Sequence, residues 1–107
     1  MSDLPESYNR FIAEYPDIAA AYEALGVALQ TAGPLDPRTR QLVKLALAAG
    51  AGLEGAVHSH TRRALELGLK PEEIKQAVLQ GVTTLGFPAT VRVLSWIGDI
   101  LEEPKAK

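Results

Sequence analysis

Residues 36–52 read Asp36-Pro37-Arg38-Thr39-Arg40-Gln41-Leu42-Val43-Lys44-Leu45-Ala46-Leu47-Ala48-Ala49-Gly50-Ala51-Gly52, a helix with both ends written into it. The Asp36 carboxylate can accept a first-turn N–H, and Pro37 suits the first helical position, which needs no donor. Leu42, Leu45, Ala46 and Ala49 recur at helical spacing, and Gly50-Ala51-Gly52 is where the helix should loosen or stop.

The same punctuation recurs outward. Downstream, Leu53 to Leu67 reads as a helix closed by Gly68. Pro71 opens the next, with Glu72 and Glu73 placed to complement the positive end of its dipole and a stripe of Ile74, Val78, Gly81 and Leu85 closed by Gly86. Phe87-Pro88 starts a last helix through Val91, Leu94, Trp96, Ile97, Ile100 and Leu101, before a polar tail from Glu102 to Lys107. Upstream, Leu4 to Tyr15 is a short amphipathic opener. Pro16 to Thr31 carries Ile18, Tyr22, Leu25 and Leu29 along one stripe, and Ala32-Gly33-Pro34-Leu35 breaks it. Ala and Leu supply 31 of the 107 residues, against 18 for Val, Ile and Thr. That balance favours helix, because unbranched side chains lose little rotamer freedom there. No run alternates as a half-buried strand does. The expected fold is all-α, a compact bundle of about six helices in a single domain spanning residues 1–107.

Composition narrows the function. At 11.5 kDa the chain hides only about two-thirds of its unfolded surface, so subunit contacts are a natural source of further burial. A net charge of −2 gives no footprint for nucleic acid. The longest apolar and Gly run, Leu45 to Leu53, is less than half of the roughly twenty residues a bilayer span needs, so no membrane partner is expected. The first residues lack a secretion-signal pattern, and a cytoplasmic location is the expectation. There is no cysteine, which excludes disulfides, thiolate metal sites and any redox chemistry needing the chain's own thiol.

Chemistry concentrates in the helix from Leu53, where His58 and His60 are the only histidines. Two residues apart on a helix is about 200° of rotation, so the pair cannot chelate one metal from one helix. No metal and no cofactor are expected; histidines of neighbouring subunits meeting on a symmetry axis are the remaining route to a metal. His60 falls on a stripe with Leu53 and Leu67, beside Val57 and Ala64, and points at the core side. It is either a buried imidazole satisfied by a backbone carbonyl or a proton donor and acceptor near neutral pH. His58 shares its side with Glu54 and Arg62 and reads as a solvated ion-pair face. Arg63 and Arg38 are surface arginines or clamps for a carboxylate ligand. Gln41 has no orientation legible from spacing, and Trp96 reads as packing.

Four motifs occur in order: Leu35-Asp36-Pro37-Arg38-Thr39-Arg40-Gln41-Leu42, His58-Ser59-His60-Thr61-Arg62-Arg63-Ala64-Leu65, Gly68 followed by Pro71-Glu72-Glu73-Ile74, and Gly86-Phe87-Pro88. Together they resemble the carboxymuconolactone decarboxylase family, which includes the alkylhydroperoxidase D-like proteins, over about residues 20–101. The resemblance implies an all-helical domain forming homotrimers or hexamers with active sites near subunit interfaces. In the peroxidase branch a glutamate precedes a Cys-x-x-Cys-x-x-x-His motif. Aligned on His60, the cysteine positions fall at Leu53 and Ala56 and the glutamate position at Gln41. Without the thiol pair that supplies electrons, no peroxidase activity is expected.

The decarboxylase branch works without metal or organic cofactor on a carboxylated lactone, and it keeps the histidine. It usually carries polar residues just before that histidine, where this chain has Ala56 and Val57. The resemblance thus implies a small-molecule ligand and cofactor-free lyase or isomerase chemistry, with His60 as acid/base and Arg63 or Arg38 as the clamp. The alternative it leaves is a redox-inactive module that binds a small ligand or partner at a pocket formed by Gln41, Leu53 and Ala56.

Overall fold

A computed structural model describes residues 5–102 of the chain. It contains α1 (Glu6–Glu14), α2 (Pro16–Gln30), α3 (Pro37–Ala51), α4 (Glu54–Glu66), α5 (Pro71–Leu79), a 3-10 turn (Gln80–Thr83) and α6 (Phe87–Leu101), with no strand among the described residues. The all-α expectation holds. Leu4 and residues 103–107 of the tail lie outside the described residues. No helix is long and apolar enough to cross a membrane, among the described residues.

The chain divides into two compact units, Met1–Pro34 and Leu35–Lys107. In the first, α1 packs on α2, and Phe11 meets Tyr15 with ring centroids 5.2 Å apart. Neither helix has a buried residue. The stripe of Ile18, Tyr22, Leu25 and Leu29 forms as the spacing predicts, yet each of these side chains is more than half exposed.

The second unit holds the core. Helix α3 packs on α4, α4 on α6, and α5 on α3 and α6. Leu45, Val57, Ala64, Ile74 and Ile97 are fully buried at their meeting, with Ala48, Ala49, Val78 and Val93 around them. Helix α3 turns a slightly different face inward than its spacing suggests: Ala48 is buried and Ala46 is exposed. On α6 the buried set is Thr90, Val93, Ile97 and Ile100, whereas Val91 is exposed and Leu94, Trp96 and Leu101 pack at the margin. Arg92 lies over the Trp96 ring, 5.8 Å from its centroid.

The helix ends follow their residues. Asp36 accepts a 2.8 Å hydrogen bond from the Thr39 N–H, which holds its carboxyl below the usual carboxylate range. Gly52 and Gly68 close α3 and α4 at φ +72° and +85°, a left-handed geometry that side chains rarely adopt. Each is followed by a backbone bond reaching back five residues, Leu53 N–H to Ala48 O at 3.1 Å and Leu69 N–H to Ala64 O at 3.0 Å. Helix α5 ends earlier than its apolar stripe suggests. After Leu79 the chain tightens into the 3-10 turn, and Leu85 is substantially exposed. Gly81 followed by the branched Val82 and Thr83 is poor α-helical sequence. A Cβ on Gly81 would also stand 3.0 Å from Thr90 Oγ1, so a side chain there would have to push Thr90 back by a few tenths of an ångström.

Chemical denaturation followed by circular dichroism checks this core. Ile97→Ala removes a fully buried side chain and should cost about 2–5 kcal/mol. Lys75→Ala, on the exposed face of α5, should stay within about 0.5 kcal/mol of the parent.

Candidate functional site

The packing of α3 against α4 brings Gln41 to His60. Gln41 is buried at the start of the α3 inner face, four residues before Leu45, and its Nε2 lies 2.8 Å from His60 Nδ1. The same Nε2 donates to the His60 backbone oxygen at 3.3 Å. The His60 carbonyl oxygen can only accept, which suits the amide nitrogen at this position: an amide oxygen there would face it without a proton between them. Gln41 therefore donates to Nδ1, Nδ1 carries the lone pair, and the neutral ring bears its proton on Nε2.

Electrostatics favour that neutral form. Burial pushes the His60 pKa below the usual imidazole value, and the positive charges of Arg63 and Lys44 push it the same way. Among the described residues Nε2 has no hydrogen-bond partner, and no buried side-chain nitrogen or oxygen is left without one, so Nε2 reaches solvent. The site thus presents an imidazole N–H under the positive potential of an exposed guanidinium and an exposed ammonium. This arrangement repels a proton and attracts an anion.

The remaining predicted positions separate. Val57 and Ala64 flank His60 in the core, but the stripe of Leu53, His60 and Leu67 is not the buried one. Leu53 is 55% and Leu67 41% exposed, and the buried face of α4 is Val57, Thr61 and Ala64. His60 therefore sits at the core boundary, and its ring is satisfied by a side-chain amide rather than by a backbone carbonyl. Leu53 stands at the start of α4, and Ala56 packs half-buried against the core.

Arg38 is not beside His60. It donates to Leu67 O at 3.4 Å and pairs with Glu73 at 3.3 Å, while the Glu73 carboxylate also accepts the Lys70 N–H at 2.8 Å. Arg38 so ties the start of α3 to the end of α4 and the start of α5, and it lines a cleft of about 480 Å³ with Leu42, Leu69 and Glu73. His60, Gln41 and Arg63 do not line that cleft.

Two residues escaped the sequence reading. Lys44 follows Gln41 by three positions, which puts both on one side of α3, and that spacing was the available signal. Asp99 on α6 left none. Its Oδ2 lies 3.0 Å from His58 Nε2, and Glu54 Oε2 lies 4.0 Å from the same nitrogen. His58 is consequently half-buried against α6 rather than solvated.

Comparisons with known proteins bear on the family and the fold. The model of the carboxymuconolactone decarboxylase family matches residues 16–99. An uncharacterised protein of Haemophilus influenzae is 33% identical over 63 residues, which span 59% of this chain and 56% of that protein. The chain thus aligns with little more than half of that relative's length. The crystal structure of a carboxymuconolactone decarboxylase family protein from Legionella pneumophila, in its apo form, superposes with a TM-score of 0.79 at 22% identity. The superposition covers 92% of this chain and 87% of that one. At that identity the likeness speaks for the fold.

The lowered His60 pKa has a signed consequence. The folded state disfavours the imidazolium, so the stability tied to this group is complete above about pH 6.5, the unfolded value, and is lost as pH falls through the folded value. Arg63→Ala removes one repelling charge and should move the His60 midpoint up toward the ordinary value, read from the ring C–H resonances in an NMR titration. A midpoint unmoved or lowered would contradict the electrostatic assignment.

Proposed function

From the premise that this chain belongs to the carboxymuconolactone decarboxylase family, we propose that it carries out cofactor-free acid/base chemistry, of lyase or isomerase type, on a small carboxylated organic compound. His60 is the residue that acts on the reacting group. The supporting observation is the Gln41–His60 contact, which aims a neutral Nε2–H outward beside two cations.

The chemistry follows from that arrangement. When a C–CO₂⁻ bond conjugated to a carbonyl breaks, CO₂ leaves and the electron pair moves into a dienolate. The negative charge then collects on the carbonyl oxygen. An Nε2–H held by Gln41 can donate to that oxygen, and Arg63 and Lys44, both exposed, add positive potential. A proton taken up from solvent water at the carbon that held the carboxylate completes the exchange of CO₂ for hydrogen, while the neutral Nε2–H serves as hydrogen-bond donor to the oxygen. Arg63 takes the clamping role here; Arg38, engaged with Glu73, lines the cleft with Leu42 and Leu69 away from His60. Leu53 and Ala56, at the positions aligned with the peroxidase cysteines, supply apolar wall and no electrons.

A second reading has its own support. Gln41 is the residue hydrogen-bonded to the His60 ring, and an amide cannot relay a proton. The same anion-attracting site then serves a binding module without turnover.

The exposed stripe of α2 supports self-association, as homotrimer or hexamer. Ile18, Tyr22, Leu25 and Leu29 are what a second copy of the chain would cover. Light scattering should give a multiple of 11.5 kDa, reduced by a paired Tyr22→Asp and Leu25→Asp change. A parent protein that is already monomeric would refute this.

Incubation with a panel of unsaturated carboxylated lactones, monitored for CO₂ release and ring absorbance, tests the main reading. His60→Ala should fold and lose turnover by about 10²-fold or more. Undiminished activity in that variant would remove His60 from the chemistry. Ligand-induced melting shifts without turnover would favour the binding module.

A further inference from the structure

The histidine not used above stands on the opposite side of α4 in different company. Glu54 and His58, one turn apart on α4, face Asp99 from α6, and one ligand atom from each lies within 4.8 Å of the others. His58 Nε2 is 3.0 Å from Asp99 Oδ2 and 4.0 Å from Glu54 Oε2.

Donor atoms bound to a common first-row cation at about 2.1 Å stand roughly 3.0–3.4 Å apart, for octahedral to tetrahedral angles. The first separation already falls there. The second, and the carboxylate pair within 4.8 Å, need Glu54, a side chain 56% exposed and free to turn, to move by about 1–2 Å. The imidazole is the restrained member, with its side chain 23% exposed between two packed helices. Two carboxylates converge on this one ring, so even a protonated imidazole leaves a net negative charge for a divalent ion to neutralise.

We propose that Glu54, His58 and Asp99 form a binding site for a divalent first-row transition cation of the zinc type, completed by water. Nitrogen in the donor set selects against magnesium and calcium, which prefer all-oxygen shells. The ion replaces the His58–Asp99 hydrogen bond by two coordinate bonds and fastens the N-terminal half of α4 to the C-terminal half of α6. It is independent of the Gln41–His60 contact, which lies on the other side of α4.

Isothermal titration of the full-length chain, stripped with chelator and titrated with zinc chloride near neutral pH, tests the site. One saturable zinc per chain is expected. Glu54→Gln and Asp99→Asn, both at exposed positions, should each weaken it by at least about tenfold, and His58→Ala, checked for folding by circular dichroism, should abolish it. His60→Ala should bind zinc as the parent does, which separates this site from the proposed catalytic one. Magnesium at equal concentration should not compete. Absence of saturable zinc binding, an Asp99→Asn variant with parental affinity, loss of binding in His60→Ala, or effective competition by magnesium would each overturn the assignment.

Discussion

The hydrogen bond from the Gln41 amide to His60 Nδ1 is the constraint on which the functional account rests. Its direction sets the tautomer, and burial with two nearby cations favours the neutral ring. In the peroxidase pattern that the chain resembles, a glutamate occupies the Gln41 position. A carboxylate there would accept from Nδ1–H and favour the imidazolium. Here the amide donates instead, which leaves the lone pair on Nδ1. With Leu53 and Ala56 at the aligned cysteine positions, this chain lacks the thiol pair of that pattern. What it has in that pair's place is an outward N–H in a positive field.

That site exists because α3 and α4 pack closely. Small residues on the inner face of α3, Ala48 and Ala49, meet Val57 and Ala64 of α4 around Leu45. The two left-handed glycines Gly52 and Gly68 end α3 and α4 where they do. Gln41 is buried but not stranded, since both protons of its amide nitrogen find acceptors on the neighbouring helix. Satisfied polar pairs of this kind fix one relative placement of two helices, which a purely apolar contact would leave freer to slide.

Much of the architecture was legible in the sequence. Asp36-Pro37, Gly52, Gly68, Pro71 and Phe87-Pro88 mark helix ends through backbone chemistry that acts within a few residues, and the structure puts the ends there. Spacing was less informative about which stripe is buried. On α4, Leu53, His60 and Leu67 looked like the inner face, yet Val57, Thr61 and Ala64 are buried instead. Thr61 hides its hydroxyl by donating to Val57 O at 2.7 Å, which lets a polar residue take a core position. On α2 the apolar stripe is real but uncovered. Contacts between helices were not legible at all: Asp99 is 41 residues from His58, and no local rule joins them.

Gln41 holds His60 with its proton on Nε2, and everything proposed for the site depends on that. Nitrogen-15 NMR of the histidine-labelled protein at pH 7 reads this directly, because the two ring nitrogens give distinct shifts in each tautomer and converge in the imidazolium. The account predicts a His60 ring with Nδ1 unprotonated and Nε2 protonated, and a Gln41→Leu variant that loses this preference. A His60 ring protonated on Nδ1, or on both nitrogens, would contradict it.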